Sequence, residues 1–561
     1  MTTAELIQGL LRDALARAAS ELGWPASDAT LEVEHPADPA HGDYATSVAL
    51  KLARPLRKPP LEIATAIRDR VAPHEAVSAV TVAKPGFVNV ALNDAWVAAQ
   101  VEVIARAGTD FGRTKALAGS RIQVEFVSAN PTGPVTVANA RGGPLGDVIA
   151  SLLAFHGADV QREYYVEDTG TQVDRFGMSI AVRYRQLFGE EIELPPDGYP
   201  SDYIKDIARL LGDRDGDAHL RLPLDEQAKL FVPFGIEWVV GEAKRVTVKL
   251  GIAFDVWFMQ HTLLTSGYFD ETMTKLREKG YLVERDGAVW FDSPDVPRDK
   301  ARDGEDKEEG WVVVRSNGDP TYLGKDIAYH RLCLEQRGLD RKINVWGANT
   351  QYHLLQMKIA LPALGIPDDR WRVVLYQYVR FVHEGVLQRM GKRTGQFLLL
   401  EDVLDAVGKD ATRFFLLQSS ADRQLDFDFE LALQQSNENP VYYVQYAHAR
   451  IASIFRTASE KDLSSADADV SLLTDAAELQ LVRHCLRFPE LVAELRETLG
   501  VHALTTYAME LAGLFHGFYK GNRVVGDDAA RSKARLRLVE AVQLTLRQVL
   551  TLLGVSAPDQ M

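Results

Sequence analysis

The sequence predicts an α/β protein with three parts: a small N-terminal α/β domain, a Rossmann-type parallel-sheet domain with insertions, and a C-terminal α-helical bundle. Between Arg121 and Glu167 a short apolar strand, a Pro- and Gly-rich turn, a helix and a second strand follow in the βαβ order of a parallel sheet. From Glu401 onward apolar residues recur at three- and four-residue spacing, which indicates packed helices. An amphipathic helix and the alternating strand 81–92 precede the sheet as a separate unit.

The length of 561 residues exceeds what one hydrophobic core holds, so several domains are expected. After its first two strands the parallel sheet is expected to resume with strands at Trp311, Ile343 and Trp371. The expected domains are the N-terminal domain at 1–108, the sheet domain at 109–385 with an insertion at about 175–306, a basic loop with the region after it at 386–430, and the bundle at 431–561.

The composition excludes some classes of protein. With 63 basic and 78 acidic residues the formal charge is −15, which argues against a general nucleic-acid coat protein, since such proteins neutralise many phosphates. An enzyme that grips one RNA through local basic patches remains compatible. No apolar run approaches the roughly 18 residues of a membrane span, and Met1–Leu22 lacks the layout of a signal peptide. Cys333 and Cys485 lie far apart, which fits a reducing cytoplasm.

The segment Val124–Asp147, VEFVSANPTGPVTVANARGGPLGD, joins the first strand to its helix. Free backbone N–H groups at a helix start attract phosphate, and the small residues there would let an adenosine approach the backbone. A tight connection without any ligand fits the same features.

This segment resembles the signature segment of arginyl-tRNA synthetases, where class I synthetases carry the two histidines of the HIGH motif that contact ATP. At the corresponding positions this chain has Thr136 and Asn139, which donate hydrogen bonds but carry no positive charge. The resemblance implies that both act in catalysis and bind ATP, with another cation or Mg²⁺ supplying the missing charge. It also implies ATP contacts at Gly142, Gly146 and Asp147.

A basic, Gly-containing loop, GVLQRMGKRTGQF, spans Gly385–Phe397. Such a loop is by itself typical of solvated surface, but this one resembles the KMSKS loop of class I synthetases. The resemblance implies that Met390 and Lys392 contact ATP, and that Lys392 is a catalytic residue stabilising the departing pyrophosphate.

Tyr322 and Asp326 are four residues apart, which places them on one face of a helix. A carboxylate beside an aromatic ring suits a guanidinium, which forks onto carboxylates and stacks on rings. A carboxylate that stabilises the helix dipole fits as well. The segment resembles the family motif T-Y-x-x-x-D-I-A-Y, which implies that both residues hold the substrate arginine.

Three further residues are assigned to arginine by the resemblance. Glu125 and Asn130 match family positions that bind its side chain and α-amino group. A cationic ligand would explain Glu125 on an apolar strand, and a structural Arg partner would explain it equally well. Where the family usually has Asp-His-His this chain has Asn349, Thr350 and Gln351, of which Gln351 is assigned to arginine.

The helix Gln435–Phe455 resembles the anticodon-domain helix of the family. Aromatic and Arg side chains suit recognition of unstacked bases, and part of this stripe is expected to be bundle core. The resemblance implies that the N-terminal domain contacts the tRNA elbow. It assigns four residues to tRNA binding: Tyr446, Arg450, Tyr519 and Asn522.

The resemblance covers essentially the whole chain and implies an arginine–tRNA ligase, which forms arginyl-adenylate from arginine and ATP and transfers arginine to tRNA(Arg). The expected partners are arginine, ATP with Mg²⁺, and tRNA(Arg). Neither zinc nor a membrane is expected. The protein is expected to be a monomer in the cytoplasm. Two alternatives stay open. One is a paralogue that binds tRNA or regulates without aminoacylation, motivated by the altered HIGH positions. The other activates arginine for a small-molecule acceptor.

Overall fold

The computed structural model describes residues 2–25, 29–297, 310–383, 386–388 and 399–561. Its first helix, α1 (Thr3–Leu22), begins at a capping box between Thr2 and Glu5 and ends at Gly23, whose φ of 65° suits glycine. The helices of this N-terminal part pack on a three-stranded antiparallel sheet of order β1-β3-β2, with elements β1 (Tyr44–Thr46), α2 (Val48–Leu56), α3 (Pro60–Arg68), β2 (Val77–Ala83), β3 (Phe87–Leu92) and α4 (Asp94–Ala107).

The central part of the chain alternates strands and helices. In chain order its elements are β4 (Arg121–Phe126), α5 (Val137–Ala140), α6 (Gly142–Phe155), β5 (Asp159–Val166), α7 (Thr171–Leu187), α8 (Asp202–Asp215), α9 (Leu224–Lys249), β6 (Val256–Met259), α10 (His261–Thr265), α11 (Tyr268–Glu278), β7 (Leu282–Arg285), β8 (Ala288–Phe291), β9 (Trp311–Val314), α12 (Tyr322–Arg331), β10 (Arg341–Gly347), α13 (Gln351–Leu364) and β11 (Trp371–Tyr376).

Five of these strands form one parallel sheet in the order β11-β10-β4-β5-β6, which confirms the predicted fold class. The chain winds outward from β4 in one direction through β5 and β6, and then in the other through β10 and β11. The strand order therefore reverses between β4 and β10. In open α/β sheets the crevice at the carboxyl ends of such strands is where ligands bind.

Two sequence expectations about this sheet are wrong. The strand at Trp311 does not continue the parallel sheet, because β9 pairs antiparallel with β8 in a separate three-stranded sheet of order β7-β8-β9. Conversely, β6 joins the parallel sheet from inside the segment interpreted as an insertion, so that segment is not wholly inserted. A four-residue apolar strand has the same pattern in either kind of sheet, which explains both errors.

The remainder of the chain is mainly helical. It contains β12 (Val379–His383), β13 (Val386–Gln388), α14 (Leu400–Leu417), β14 (Leu425–Asp428), α15 (Phe429–Leu433), α16 (Pro440–Ser459), α17 (Ala476–Thr498), α18 (Ala503–Gly521) and α19 (Ala529–Leu553), with a small sheet of order β13-β12-β14. Helices α16 to α19 pack into the predicted bundle around a buried apolar core. Among the helices within the described ranges, none is long and apolar enough to cross a membrane.

The N-terminal domain is joined to the bundle through polar contacts on α17. Glu490 accepts hydrogen bonds from the Tyr44 hydroxyl at 2.7 Å and from the Ala4 amide at 2.8 Å. Arg483 donates to Asp43 at 2.8 Å and to Asp94 at 2.6 Å. The N-terminal domain and the C-terminal bundle are therefore in contact, although they are distant in sequence.

Candidate active site

The carboxyl end of β4 turns sharply through two strained residues. Val127 and Ser128 have φ of 66° and 39°, and a β-branched residue rarely adopts this conformation. The turn is held in place because the Ser128 hydroxyl accepts from the Tyr165 amide at 3.1 Å and donates to Glu125 at 3.2 Å. The Tyr164 hydroxyl bonds both the amide and the carbonyl of Ala129, at 3.0 and 3.2 Å. Strain fixed in this way is typical of functional sites.

Glu125 forms a buried ion pair with Lys342 of β10. The Lys342 ammonium donates to Glu125 Oε2 at 2.7 Å and to Gln123 Oε1 at 2.6 Å, and Asn344 donates to the same Glu125 oxygen at 2.8 Å. Burial alone would lower the pKa of Lys342, but the charge and hydrogen bond of Glu125, together with the charges of Cys333 and Glu163, outweigh burial and the pKa is raised. The Glu125 carboxylate therefore already has a cation within the protein.

Asp326 has a cationic partner as well. The His353 Nε2 atom lies 2.6 Å from Asp326 Oδ2, and both side chains are buried. Burial acts to raise the pKa of Asp326, yet the hydrogen bond and charge of His353 leave it lowered. The His353 ring also lies against Tyr322, with 4.6 Å between ring centroids. The charge of Asp326 is the main reason that the pKa of the Tyr322 hydroxyl is raised.

Glu125 and Asp326 therefore each have a basic partner within the protein. The structural basic partner kept open for Glu125 exists, and it is a lysine rather than an arginine. The other predicted arginine residues face outward: Tyr322 is 45% exposed, and Asn130 and Gln351 are exposed at the rim. Asn130 donates to Gln172 at 2.8 Å. Asn130 and Gln351 follow the carboxyl ends of the neighbouring parallel strands β4 and β10, so they lie at the same edge of the sheet.

Thr136 and Asn139 lie at the first turn of the helix that follows the strained turn. Thr136 precedes α5 without capping it, and its hydroxyl lies 3.4 Å from Asn139 Oδ1. Because Arg141 has helical angles of −65° and −35°, α5 runs on into α6 with its free amides near Thr136. Leu399 pairs with Thr136, and the Leu400 amide donates to Val135 at 3.1 Å. Met390 and Lys392 lie outside the described residues, between 388 and 399.

Gly142, Gly146 and Asp147, which are predicted to contact ATP, lie in α6. They are inside the helical run, beyond its free amides, and packing explains both glycines: a Cβ on Gly146 would lie 2.2 Å from the Phe126 ring, and one on Gly142 3.0 Å from the Tyr376 ring. The Asp147 carboxylate accepts from Arg162 at 2.8 Å and from the fully buried Arg413 at 2.6 Å. These contacts give all three residues structural roles, and their assignment to ATP stays a prediction.

The four residues predicted to bind tRNA line one cavity of about 950 Å³ in the bundle. The Arg450 guanidinium lies over two rings, 4.6 Å from the centroid of Tyr446 and 5.0 Å from that of Tyr519. Asn522 borders the same cavity and accepts a hydrogen bond from Arg535 at 2.8 Å. The remaining cationic lining consists of Arg456, Lys461, Lys520 and Arg523. Rings and cations around a concave surface suit stacked bases and phosphates.

Comparison with known proteins matches the chain from end to end. Family models match in three places: the arginyl tRNA synthetase N-terminal domain at residues 5–92, the catalytic domain of class I (R) tRNA synthetases at 238–447, and the DALR anticodon binding domain at 444–561. The arginine–tRNA ligase of Carboxydothermus hydrogenoformans is 42% identical over 99% of both chains, and that of Moorella thermoacetica is 43% identical over 98% of this chain and 97% of its own. The chain belongs to the arginyl-tRNA synthetase family.

Solved structures support the fold of this arginyl-tRNA synthetase. The enzyme of Thermus thermophilus superimposes with a TM-score of 0.77 over 99% of this chain and 100% of its own, at 24% identity. That of Plasmodium falciparum gives 0.76 over 100% and 99%, at 17% identity.

Sequence reasoning missed three residues that organise the synthetase site. Lys342 and His353 neutralise the two acidic residues, and a lysine inside an apolar strand was the available signal for the first. Arg141, fully buried, was passed over as part of the motif. Its guanidinium donates to five backbone carbonyls, those of Gln377, Ser419, Ser420, Ala421 and Arg423. Arg141 thereby joins the start of α6 to Gln377 and to the segment that follows α14.

Proposed function

We propose that this arginine–tRNA ligase activates arginine in the crevice between β4 and β10. The observation that carries the proposal is the convergence at one sheet edge of the predicted arginine residues and the helix start at Thr136. The enzyme would then transfer arginine to the 3′ end of tRNA(Arg). In class I synthetases ATP is the co-substrate, and we infer that Mg²⁺ arrives with it.

The arginine would enter from the exposed side of the crevice. We assign Tyr322 and Asp326 to its side chain, because a ring and a carboxylate together suit a guanidinium, and Gln351 to the rim beside them. Asn130 is assigned to the α-amino group. Glu125 would contribute an oxygen whose charge Lys342 already balances, and so it fixes geometry more than net charge.

Adenylate formation needs positioning and charge neutralisation rather than a protein nucleophile. The arginine carboxylate attacks the α-phosphate in line as pyrophosphate leaves, and holding both reactants in this geometry supplies much of the acceleration. Thr136, Asn139 and the free amides of their turn would bind the phosphates. Lys392 would stabilise the pyrophosphate and supply positive charge that the missing histidines do not. The pairing of Leu399 with Thr136 supports this, since Leu399 follows the loop by two residues in the sequence.

The tRNA would be bound at two places. We assign its anticodon loop to the bundle cavity around Arg450, and its elbow to the N-terminal domain, which polar contacts fix to the same bundle. We propose that bound tRNA is required before arginine is activated. We propose that the enzyme acts as a monomer in the cytoplasm.

The proposal is tested by arginine-dependent ATP–pyrophosphate exchange in the presence of tRNA, with Lys392→Ala as the variant. We expect exchange by the parent enzyme and a fall in the variant of about a hundredfold, the usual effect of removing one donor that stabilises developing charge. The tRNA dissociation constant should stay within about twofold, since this interaction lies outside the tRNA surface. Exchange that is indifferent to Lys392→Ala would contradict the loop assignment, and tRNA binding without any exchange would favour the non-aminoacylating paralogue.

A further inference from the structure

Polar side chains follow the face of β5 that α12 covers, and they continue just past the end of the strand. Alternation along the strand puts Glu163 and Tyr165 on this face, and continuing it by one residue adds Glu167 just past the strand end. The Tyr165 ring lies 4.5 Å from that of Tyr329 on α12, and the Tyr329 hydroxyl donates to Glu163 at 2.7 Å. Glu167 therefore lies at the carboxyl edge of the sheet, level with the strained turn after β4.

The other carboxylates on this face each have a cationic partner. Arg337 binds Glu163 through two N–H groups, at 2.9 and 2.5 Å. Lys342 binds Glu125 at 2.7 Å, and His353 binds Asp326 at 2.6 Å. Each of these pairs is largely removed from water, where an unbalanced charge is costly.

Glu167 differs from them. Throughout the parts of the chain that the structure describes, its carboxylate has neither a hydrogen bond nor a cation within 4.0 Å. The nearest candidate, Lys325, is only 6% exposed and directs its ammonium to neutral oxygens, at 2.7 Å on Gln260 and 3.2 Å on Thr169. Burial raises the pKa of Glu167 to about 7, because the charges of Lys325 and His353, which act to lower it, do not outweigh the loss of water.

We propose that Glu167, whose carboxylate makes no direct ion pair within the described residues, supplies the negative charge that pairs with the guanidinium of bound arginine, and so determines the preference for a cationic side chain. This inference rests on the proposed function and adds a residue to its arginine site. Tyr322 would stack on the guanidinium plane, and Glu167 would pair with the positive charge of the guanidinium. Glu125 and Asp326 are already paired with Lys342 and His353. A neutral side chain of the same shape would leave Glu167 unpaired.

The test compares arginine with citrulline, which replaces the guanidinium by a neutral urea and keeps the α-amino and carboxyl groups. In Glu167→Gln we expect the KM for arginine in tRNA arginylation to rise about tenfold or more, as loss of a charge-assisted bond implies. The inhibition constant of citrulline and the KM for ATP should change less than about twofold, because neither ligand uses this charge. Glu284→Gln removes the same charge from a side chain that is 77% exposed, and it serves as the control.

The outcomes separate the two proposals. Failure of the parent enzyme to charge tRNA with arginine would contradict the proposed function itself. Charging by the parent, together with an arginine KM in Glu167→Gln like that of Glu284→Gln, overturns the role of Glu167 alone. An equal loss for arginine and citrulline also overturns it, because that result indicates a structural role. Should the glutamine variant fail to fold, Glu167→Asp, which keeps the charge on a shorter side chain, must still raise the KM for arginine and spare citrulline.

Discussion

The Nε2 atom of His353 lies 2.6 Å from Oδ2 of Asp326, inside the pocket proposed for arginine. A protonated imidazole in this position carries the same charge as the guanidinium it adjoins. Burial acts to lower the pKa of His353, but the hydrogen bond and charge of Asp326 outweigh burial and the pKa is raised. The histidine is therefore a competitor for the substrate whenever it holds its proton.

The first prediction is that arginine binds more tightly as the pH rises. Below its raised pKa His353 is protonated and neutralises Asp326; above it the imidazole is neutral and Asp326 can serve the guanidinium. Glu167, with a pKa of about 7, loses its proton in the same range and adds to the trend. The KM for arginine measured between pH 6 and 8.5 should fall by about tenfold, the change that one charge pair implies.

His353→Gln isolates the contribution of the histidine. The other groups around the ring, namely Asp326, Tyr322, Gln356 and Glu167, are retained in this variant. Its pH profile for the arginine KM should be shallower than that of the parent enzyme, while the KM for ATP keeps its profile. Identical arginine profiles in the two proteins would show that His353 does not compete.

The second prediction concerns the packing of α6 on β4. In Gly146→Ala the new Cβ would lie 2.2 Å from the ring of Phe126, which is buried and has no room to move. We expect the free energy of unfolding to fall by about 3 kcal/mol, the cost of overpacking a core. Gly241→Ala in α9, where a Cβ meets nothing within 4 Å, should instead stabilise by up to about 1 kcal/mol. Thermal denaturation of both variants checks this, and equal melting temperatures would refute it.

The third prediction concerns the ion pairs of Asp147 with Arg162 and Arg413. Asp147→Asn weakens a buried network with Arg162 and Arg413, and it should lower the free energy of unfolding by about 3 kcal/mol. The KM for ATP at a temperature where the variant is folded should stay unchanged. Asp206→Asn breaks an exposed pair with Arg209 and is the control, with a cost below about 1 kcal/mol. A raised KM for ATP with normal stability would support the ATP assignment.

The fourth prediction tests the bundle cavity. Arg450→Gln removes the cation between Tyr446 and Tyr519, and we expect the KM for tRNA to rise about tenfold or more, as loss of one stacked or charged base contact implies. The KM for ATP should not change. Arg277→Gln, on the distant helix α11, removes an exposed charge and serves as the control. Equal tRNA binding by the two variants would place the tRNA surface elsewhere.

Local patterns were enough to predict the layers of the fold. The βαβ order around β4 and β5 and the helical periodicity after Glu401 each follow from neighbouring residues. Pairing between distant strands is not encoded in this way. Four-residue strands such as β6 and β9 present the same apolar run whether they pair parallel or antiparallel, so their sheets could not be assigned from sequence.

Candidate ligand-binding residues could be proposed from the sequence, but their partners within the protein could not. Tyr322 and Asp326 stand out because their spacing has a simple geometric meaning. The cations that balance Glu125 and Asp326 come from Lys342 and His353, which are 217 and 27 residues away in sequence. Glycine was equally ambiguous, since Gly146 fits both close approach of a ligand and close packing on Phe126, and only the contact itself decides.

The central claim is that a pocket lined by carboxylates and an aromatic ring selects arginine for transfer to tRNA. The most direct measurement incubates the enzyme with ATP, Mg²⁺, total tRNA and each labelled amino acid in turn, and counts acid-precipitable label. We predict that label accumulates on tRNA with arginine and with no other amino acid, and only when ATP is present. Binding of tRNA without arginylation, or comparable transfer of an uncharged amino acid, would contradict this account.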